Sequence, residues 1–406
     1  MPPFTAMDKR DAVVVGGGTV GAWTACLLAE AGLSVTLVEA AVLGAGASSR
    51  AAGMVRAQGG TKAAIRLGMF SRAFYAGQAG RFPLDSGFVE QGYLMPCFTE
   101  EEVTAAHARV ALQKSLGLEV EWLDADELDR RDTGLAHGTC LGASYAPGDG
   151  YIDAPRNVLA YSAALVALGV DVREHRRFTG LRTAGSQVTG IDTDDGPVDA
   201  AAVVLTGGPD LGAIGRLAGG AVPVGGTRHQ VVVTAPLPGV DVHTLPMVFD
   251  VASGIYWRPG EDGGLLWGMS NPEEPPGPAR EFDTEYFAKM SERVARLLPA
   301  AAGVGVRRSW AATIDYTPDH LPIIGPVLRT GDAVGGTVVA AAGGHGMMWG
   351  PGVAQAAADI VLHGRTDVLD VSELGLDRFD ADGRSRLAAD PIALPFPTEV
   401  TERTPR

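Results

Sequence analysis

The most constraining stretch of the chain lies near its start. Asp11–Val15 (DAVVV) is a short, wholly apolar run of the kind a buried parallel strand needs. Gly16-Gly17-Gly18-Thr19-Val20-Gly21 follows, with the spacing G-x-G-x-x-G, then a helical pattern over Ala22–Ala31 closed by Gly32. A second apolar run, Ser34–Val38, ends in Glu39. Each glycine has a physical task. Gly16 permits the tight turn, Gly18 lets the backbone approach a pyrophosphate at the helix N-terminus, and Gly21 lets helix and strand pack closely. Glu39 is placed to accept a hydrogen bond from a ribose 2′-hydroxyl. Strand, glycines, helix, strand and acid in this order predict a Rossmann-like unit holding a dinucleotide. An acid rather than an arginine at position 39 disfavours a 2′-phosphate and favours FAD or NAD over NADP.

Length and composition narrow the remainder. A chain of 406 residues allows two or three domains, and 46% hydrophobic with 20% charged residues is an ordinary globular balance. The formal charge of −15 argues against nucleic acid or an anionic membrane as the main partner. No apolar run approaches the roughly 18 residues of a membrane span. The N-terminal MPPFTAMDKR lacks the apolar core of a secretory leader. Cys26, Cys97 and Cys140 show neither CxxC spacing nor a histidine cluster, so no metal site and a reducing, cytoplasmic setting are expected.

Further along, Gly44-Ala45-Gly46-Ala47-Ser48-Ser49-Arg50-Ala51-Ala52-Gly53-Met54-Val55-Arg56 is a run of small residues ending in arginine. Gly148–Ala154 precedes a helical run from Pro155 to Leu168, and Ala202–Leu205 is a strand running into Gly207-Gly208-Pro209. Ser309–Asp319 with Leu321–Gly325, Gly343–Pro351 (GGHGMMWGP) and Leu376–Phe379 complete the series. In this order the blocks resemble the D-amino-acid-oxidase-like FAD oxidoreductases, the superfamily of sarcosine oxidase, dimethylglycine dehydrogenase and glycine oxidase. The resemblance spans residues 11 to 380. It implies an α/β, two-dinucleotide-fold FAD domain carrying an α+β substrate domain with an antiparallel sheet. The expected FAD domain is discontinuous, 1–85, 146–221 and 303–382. The substrate domain is expected at 86–145 and 222–302, followed by a Pro-rich arm at 383–406.

The resemblance also assigns roles. Ala40, Ser48, Ser49, Arg50, Gly53 and Met54 would line the FAD with Gly16, Gly18, Thr19, Val20, Gly21 and Glu39. Gly207 and Gly208 would make a late FAD contact, although the family has Ala-Gly-Ala-Trp there. Gly344, His345, Gly346, Met347 and Met348, with the helix expected from Gly352 to His363, would meet the flavin pyrimidine edge. Arg56 matches a family arginine that binds the substrate carboxylate. His345, Trp257 and Met348 are the other substrate-side candidates, with Trp349, Arg258, His229, Tyr256 and Tyr316 behind them.

The departures carry information too. Ala312 stands where monomeric sarcosine oxidase attaches FAD through cysteine, and no histidine accompanies the N-terminal glycines, so FAD is expected to be non-covalent. Met348 and Leu266 replace two lysines, and Ser270 replaces a histidine. One carboxylate-binding cation therefore remains, and a larger or more apolar amine than sarcosine is expected. The implied reaction is oxidation of a C–N bond in an amine or amino acid, with O₂ or another electron acceptor. Oxidation of a hydroxy acid, an NAD-dependent dehydrogenase and a beta-type subunit of a heteromeric complex stay open at this point.

Overall fold

The computed structural model describes residues 11–278, 281–398 and 400. The reading of the N-terminal MPPFTAMDKR and of the end of the Pro-rich arm falls outside them.

The predicted strand–helix–strand unit forms at Ala12–Val15, Thr19–Glu30 and Val35–Val38. These strands lie in a six-stranded sheet ordered Ile323–Gly325, Thr337–Ala341, Ala202–Leu205, Ala12–Val15, Val35–Val38, Asp171–Arg173. All neighbours are parallel except the Ile323–Gly325 edge. Helix Thr19–Glu30 is apolar on nearly every side because it is enclosed on every side. Trp23 is fully buried in it, and its indole N–H is satisfied by Asn157 Oδ1 at 3.1 Å. A three-stranded ribbon, 178–199, packs on the sheet's other face through Phe178, Val188, Ile191 and Val198.

The long helix near the C-terminus runs over Gly346–His363 and so begins six residues before the expected Gly352. Pro351 lies inside it. A proline there has no N–H for the carbonyl four residues back, which is that of Met347. The Tyr75 hydroxyl donates to Met347 O instead, at 3.0 Å. The lost hydrogen bond is replaced from another helix, which local sequence reading could not anticipate.

The second sheet has eight strands, ordered Val306–Tyr316, Gly225–Thr234, Leu265–Met269, Ile255–Pro259, Met247–Asp250, Tyr93–Cys97, Gly142–Ala146, Glu121–Asp124. Its one parallel contact joins Met247–Asp250 to Tyr93–Cys97. The strand Val306–Tyr316, expected in the FAD domain, pairs instead along the length of Gly225–Thr234. Helix Thr284–Leu297 covers one face of this sheet, packing Met290, Val294 and Leu297 against Val232, Trp257 and Trp267. The opposite face presents Tyr93, Met95, Phe249, Tyr256 and Leu266 toward the first sheet. Strand alternation sets this division.

Candidate functional site

Between the two sheets lies a cavity of about 1090 Å³, at the upper end of or beyond the roughly 300–1,000 Å³ of drug-sized sites. One end is built from backbone. Gly16 has φ +101°, and a Cβ there would stand 2.6 Å from Thr206 Oγ1. A Cβ on Gly21 would stand 1.9 Å from Gly16 O, so the helix can meet the strand only without a side chain. A Cβ on Gly18 would meet only Ser48 Oγ, at 3.2 Å, on the side that faces the cavity. Ser48 Oγ accepts from Thr19 N at 2.9 Å. Glu39 accepts from the N–H groups of Gly17 and Ala41, each at 2.7 Å, and its carboxylate faces the same space.

Two long helices aim their N-termini into this one cavity. Thr19–Glu30 starts at Gly18 and Gly346–His363 starts at His345, and neither has a side-chain cap or an acid in its first turn. Uncapped N–H groups and the positive end of a helix dipole suit an anion. One such end fits a pyrophosphate and the other the electron-rich edge of a flavin. The residues present therefore fit FAD.

All the expected cofactor residues line the cavity except Ser49, whose N–H is turned back onto Gly44 O. Gly207 (φ +151°) and Gly208 (φ +52°) form the turn after Ala202–Leu205. Pro209 is the middle residue of the short 3₁₀ turn Gly208–Asp210 that leads into the helix Leu211–Leu217. Ala312 lines the cavity, whereas Cys26, Cys97 and Cys140 are buried elsewhere.

At the other end, side chains dominate. Arg56 is 3% exposed and faces the cavity. It donates through Nη1 to Gln58 O at 2.6 Å and through Nη2 to Ile392 O at 3.1 Å, and it lies 5.2 Å from the Phe249 ring centre. Its Nε–H has no partner, and no carboxylate lies within ion-pair distance among the described residues. Asp149 holds it in place. Its buried carboxylate accepts from the N–H groups of Ala57 and Gln58, at 2.9 and 3.3 Å, fixing the peptides just after Arg56. This explains the Gly148-Asp149-Gly150 block, where a Cβ on Gly150 would stand 1.9 Å from Val89 O.

Tyr256 and His229 also face the cavity, joined by a 2.5 Å contact between the Tyr256 hydroxyl and His229 Nε2. His229 Nδ1 meets Ser270 Oγ at 2.8 Å. Burial pulls the His229 pKa down to about 4 and pushes the Tyr256 hydroxyl well above its ordinary value. The imidazole is therefore neutral near pH 7, with one nitrogen to donate and one to accept. Burial, with Arg56 nearby, pulls His345 down to about 3. Its Nδ1 contacts Gly343 O at 3.0 Å, and its Nε2 is buried without a partner while the residue lines the cavity.

Trp257 is a correction. It lies between Tyr256 and Arg258 on the strand and so points to the opposite face, into the core beneath Thr284–Leu297. Arg258 is buried by backbone acceptors, Ala52 O and Pro259 O at 2.6 and 2.7 Å, and does not reach the cavity. Met348 lines the cavity, whereas Leu266 is buried in the apolar cluster beside Tyr256. Trp349 stacks behind His345, with ring centres 4.1 Å apart. Tyr316 is buried against Phe396, ring centres 6.4 Å apart, and does not line the cavity. Tyr93, Phe249 and the tail residues Ile392 and Leu394 were not legible in sequence. They carry no motif and reach the site only through strand pairing or chain return.

Known proteins agree with this geometry. The chain is 29% identical to 4-methylaminobutanoate oxidase (formaldehyde-forming) of Paenarthrobacter nicotinovorans over 92% of its own length, but spans only 46% of that protein. It is 30% identical to glycine oxidase of Geobacillus kaustophilus, over 78% of this chain and 84% of that one. The crystal structure of that glycine oxidase superposes with a TM-score of 0.80 at 28% identity, covering 92% of this chain and 100% of that one. L-Proline dehydrogenase from P. horikoshii gives a TM-score of 0.81 at 25% identity, covering 89% and 96%. No helix among the described residues is long and apolar enough to cross a membrane. The profile of the FAD dependent oxidoreductase family matches residues 11–360, and with the two-helix cradle built from that stretch the chain belongs to this family of FAD-dependent enzymes.

Proposed function

We propose that this protein oxidises the C–N bond of a carboxylate-bearing secondary or cyclic amine, with non-covalent FAD. One observation carries the reading: a buried arginine with a spare N–H and no acidic partner among the described residues faces the FAD cavity. A buried charge is costly unless paired, and a substrate carboxylate would supply the pair. A methylaminobutanoate oxidase and an L-proline dehydrogenase among the similar proteins are named for a secondary and a cyclic amino acid, and the glycine oxidase for a carboxylate-bearing amine, which supports this reading.

In this reading Arg56 fixes the carboxylate, and Phe249, Tyr93 and Met348 exclude water around the carbon skeleton. The amine lies toward Tyr256. With Nδ1–H donating to Ser270, His229 Nε2 accepts a hydrogen bond from the Tyr256 hydroxyl, which leaves the phenol oxygen free to accept a hydrogen bond from the substrate nitrogen. The amine reacts in its neutral form, its ammonium proton having passed to water, and the nitrogen lone pair drives hydride departure from the adjacent carbon. Bound FAD supplies the two-electron acceptor at N5. The product is an imine, which water hydrolyses. Ala312, in the place of the sarcosine oxidase cysteine, supports non-covalent binding.

Anaerobic mixing with N-methyl and cyclic amino acids, and with the same amines lacking a carboxylate, tests this. Flavin bleaching by the carboxylate-bearing amines, with release of an amine or aldehyde, is expected. Bleaching by hydroxy acids alone would overturn it.

A further inference from the structure

The chain does not end its work at the last family block. After Leu376–Phe379 it turns back, and residues 390–397 (DPIALPFP) reach the Arg56 end of the cavity through Ile392 and Leu394. Three contacts to the rest of the chain hold this segment, and one within it sets its turn. Asp390 N donates to Asp319 O at 3.2 Å, and the buried Asp390 carboxylate accepts from Ile392 N at 3.0 Å. That carboxylate also sits against Gly60, where a Cβ would stand 2.3 Å from Asp390 Oδ1. Pro395 closes on the turn at Gly254, where a Cβ would stand 2.9 Å from its ring. Gly60 and Asp319 flank the cofactor layer and Gly254 belongs to the substrate sheet, so the segment straps one to the other.

Its inner side reaches the chamber at three points. Ile392 O takes an Arg56 Nη2 hydrogen, and its side chain is buried with Ala52, Tyr93 and Tyr256. Leu394 lines the cavity. Phe396 packs edge-on to His345, ring centres 6.0 Å apart, and a Cβ on Gly344 would stand 2.4 Å from it. The strap therefore touches both the arginine and the loop that begins the second cradle helix.

We propose that residues 391–396 form a wall of the substrate chamber, with Leu394 setting the size of substrate that fits beside Arg56. This rests on the reading of the chamber as a carboxylate-binding substrate site. A wall made by a returning segment explains how a single cation could serve a substrate chosen by shape. It makes Ile392 O a positioning group, turning the guanidinium so that Nε stays free.

Two measurements on the flavin-loaded protein test this. Iodide quenching of flavin fluorescence reads access to the chamber. A chain stopped after Ala389 should keep its flavin and show a severalfold larger quenching constant; an unchanged constant at full flavin content overturns the proposal. If that truncation fails to fold, Leu394→Ala and Leu394→Trp decide the matter. Benzoate and 2-naphthoate, titrated against the flavin absorbance, read chamber size. Leu394→Ala should shift the ratio of their Kd values toward naphthoate by about tenfold, the scale on which an apolar pocket discriminates, and Leu394→Trp should shift it the other way. Equal ratios in all three proteins overturn the role of Leu394. If neither carboxylate perturbs the flavin in any of them, the anionic-substrate reading fails, and the quenching result alone decides the strap.

Discussion

The two ends of the cavity are made of different material. The cofactor end is backbone: glycines without Cβ atoms, two helix N-termini and a turn of positive φ. The substrate end is side chains and one main-chain carbonyl, brought from six separate segments: Arg56, Tyr93, His229, Phe249 with Tyr256, His345 with Met348, and Ile392 with Leu394. A backbone site tolerates little change in the residues that make it and much change around them. A side-chain site can be rewritten at single positions while the fold stands. This is how a family keeps one cofactor and changes substrates.

The largest effect should come from the backbone end. Gly21→Val forces a Cβ into Gly16 O and pushes the helix away from the strand. Flavin content, read as the ratio of 450 to 280 nm absorbance, should fall to near zero. Retention of normal flavin would break the contrast, since it would mean the cradle accepts side chains.

Next in size is Arg56→Ala. A charge-assisted hydrogen bond in a desolvated site is worth roughly 1.5–3 kcal/mol, so KM for a carboxylate-bearing amine should rise about ten- to a hundredfold. Flavin content should not change. An unchanged KM would sink the assignment.

A smaller and more pointed comparison uses two neighbours on one strand. Tyr256→Phe removes the hydroxyl that bridges the chamber and His229, and should lower kcat/KM by about tenfold or more while shifting the acid limb of its pH profile. Trp257→Phe leaves a void on the far side of the sheet. It should cost about 1–3 kcal/mol in urea stability and leave kcat/KM within about twofold. If both variants behaved alike, strand alternation would not be what separates site from core.

The smallest effect concerns pH. His229 and His345, with pKa values near 4 and 3 in the folded chain, lie below the ordinary 6.5 of an unfolded histidine. The unfolded chain therefore takes up protons first. Their neutral burial costs nothing above about pH 6.5, and stability is lost as the pH falls from there toward 4. Buried Asp149, Asp315 and Asp390 have raised values and act in the opposite sense. The difference between wild type and His229→Gln isolates the histidine. The variant's urea midpoint should fall less steeply between pH 6.5 and 4.5, and parallel curves would show that His229 takes up its proton freely in the fold.

Much of the cofactor end was legible because its signals are local. Turn, helix start and strand end follow one another within a few residues; Gly16 is required by the turn it makes and Gly21 by Gly16 O, five residues back. Local order fixed the parallel strands, the first helix and most of the residues that line the backbone end of the cavity, and the family blocks pointed to Arg56. It misread what depends on distant partners. The helix at Gly346 runs through Pro351 only because Tyr75 supplies the missing donor. Val306–Tyr316 joins the substrate sheet because Gly225–Thr234 offers it a full-length edge. Trp257 lost its place in the site to the parity of a strand whose facing was not written in its own residues.

By itself, then, the sequence determined a dinucleotide cradle, its preference for FAD over a 2′-phosphate cofactor, and Arg56 as the candidate for a substrate carboxylate. Only the tertiary structure decided which face of the eight-stranded sheet looks into the chamber, that Ser270, His229 and Tyr256 meet in a line, and that the C-terminal segment returns to Arg56. The physical reason is range. Backbone geometry is set by neighbours along the chain, whereas a side-chain pocket is set by which surfaces must bury one another, and that is known only once the whole chain has closed.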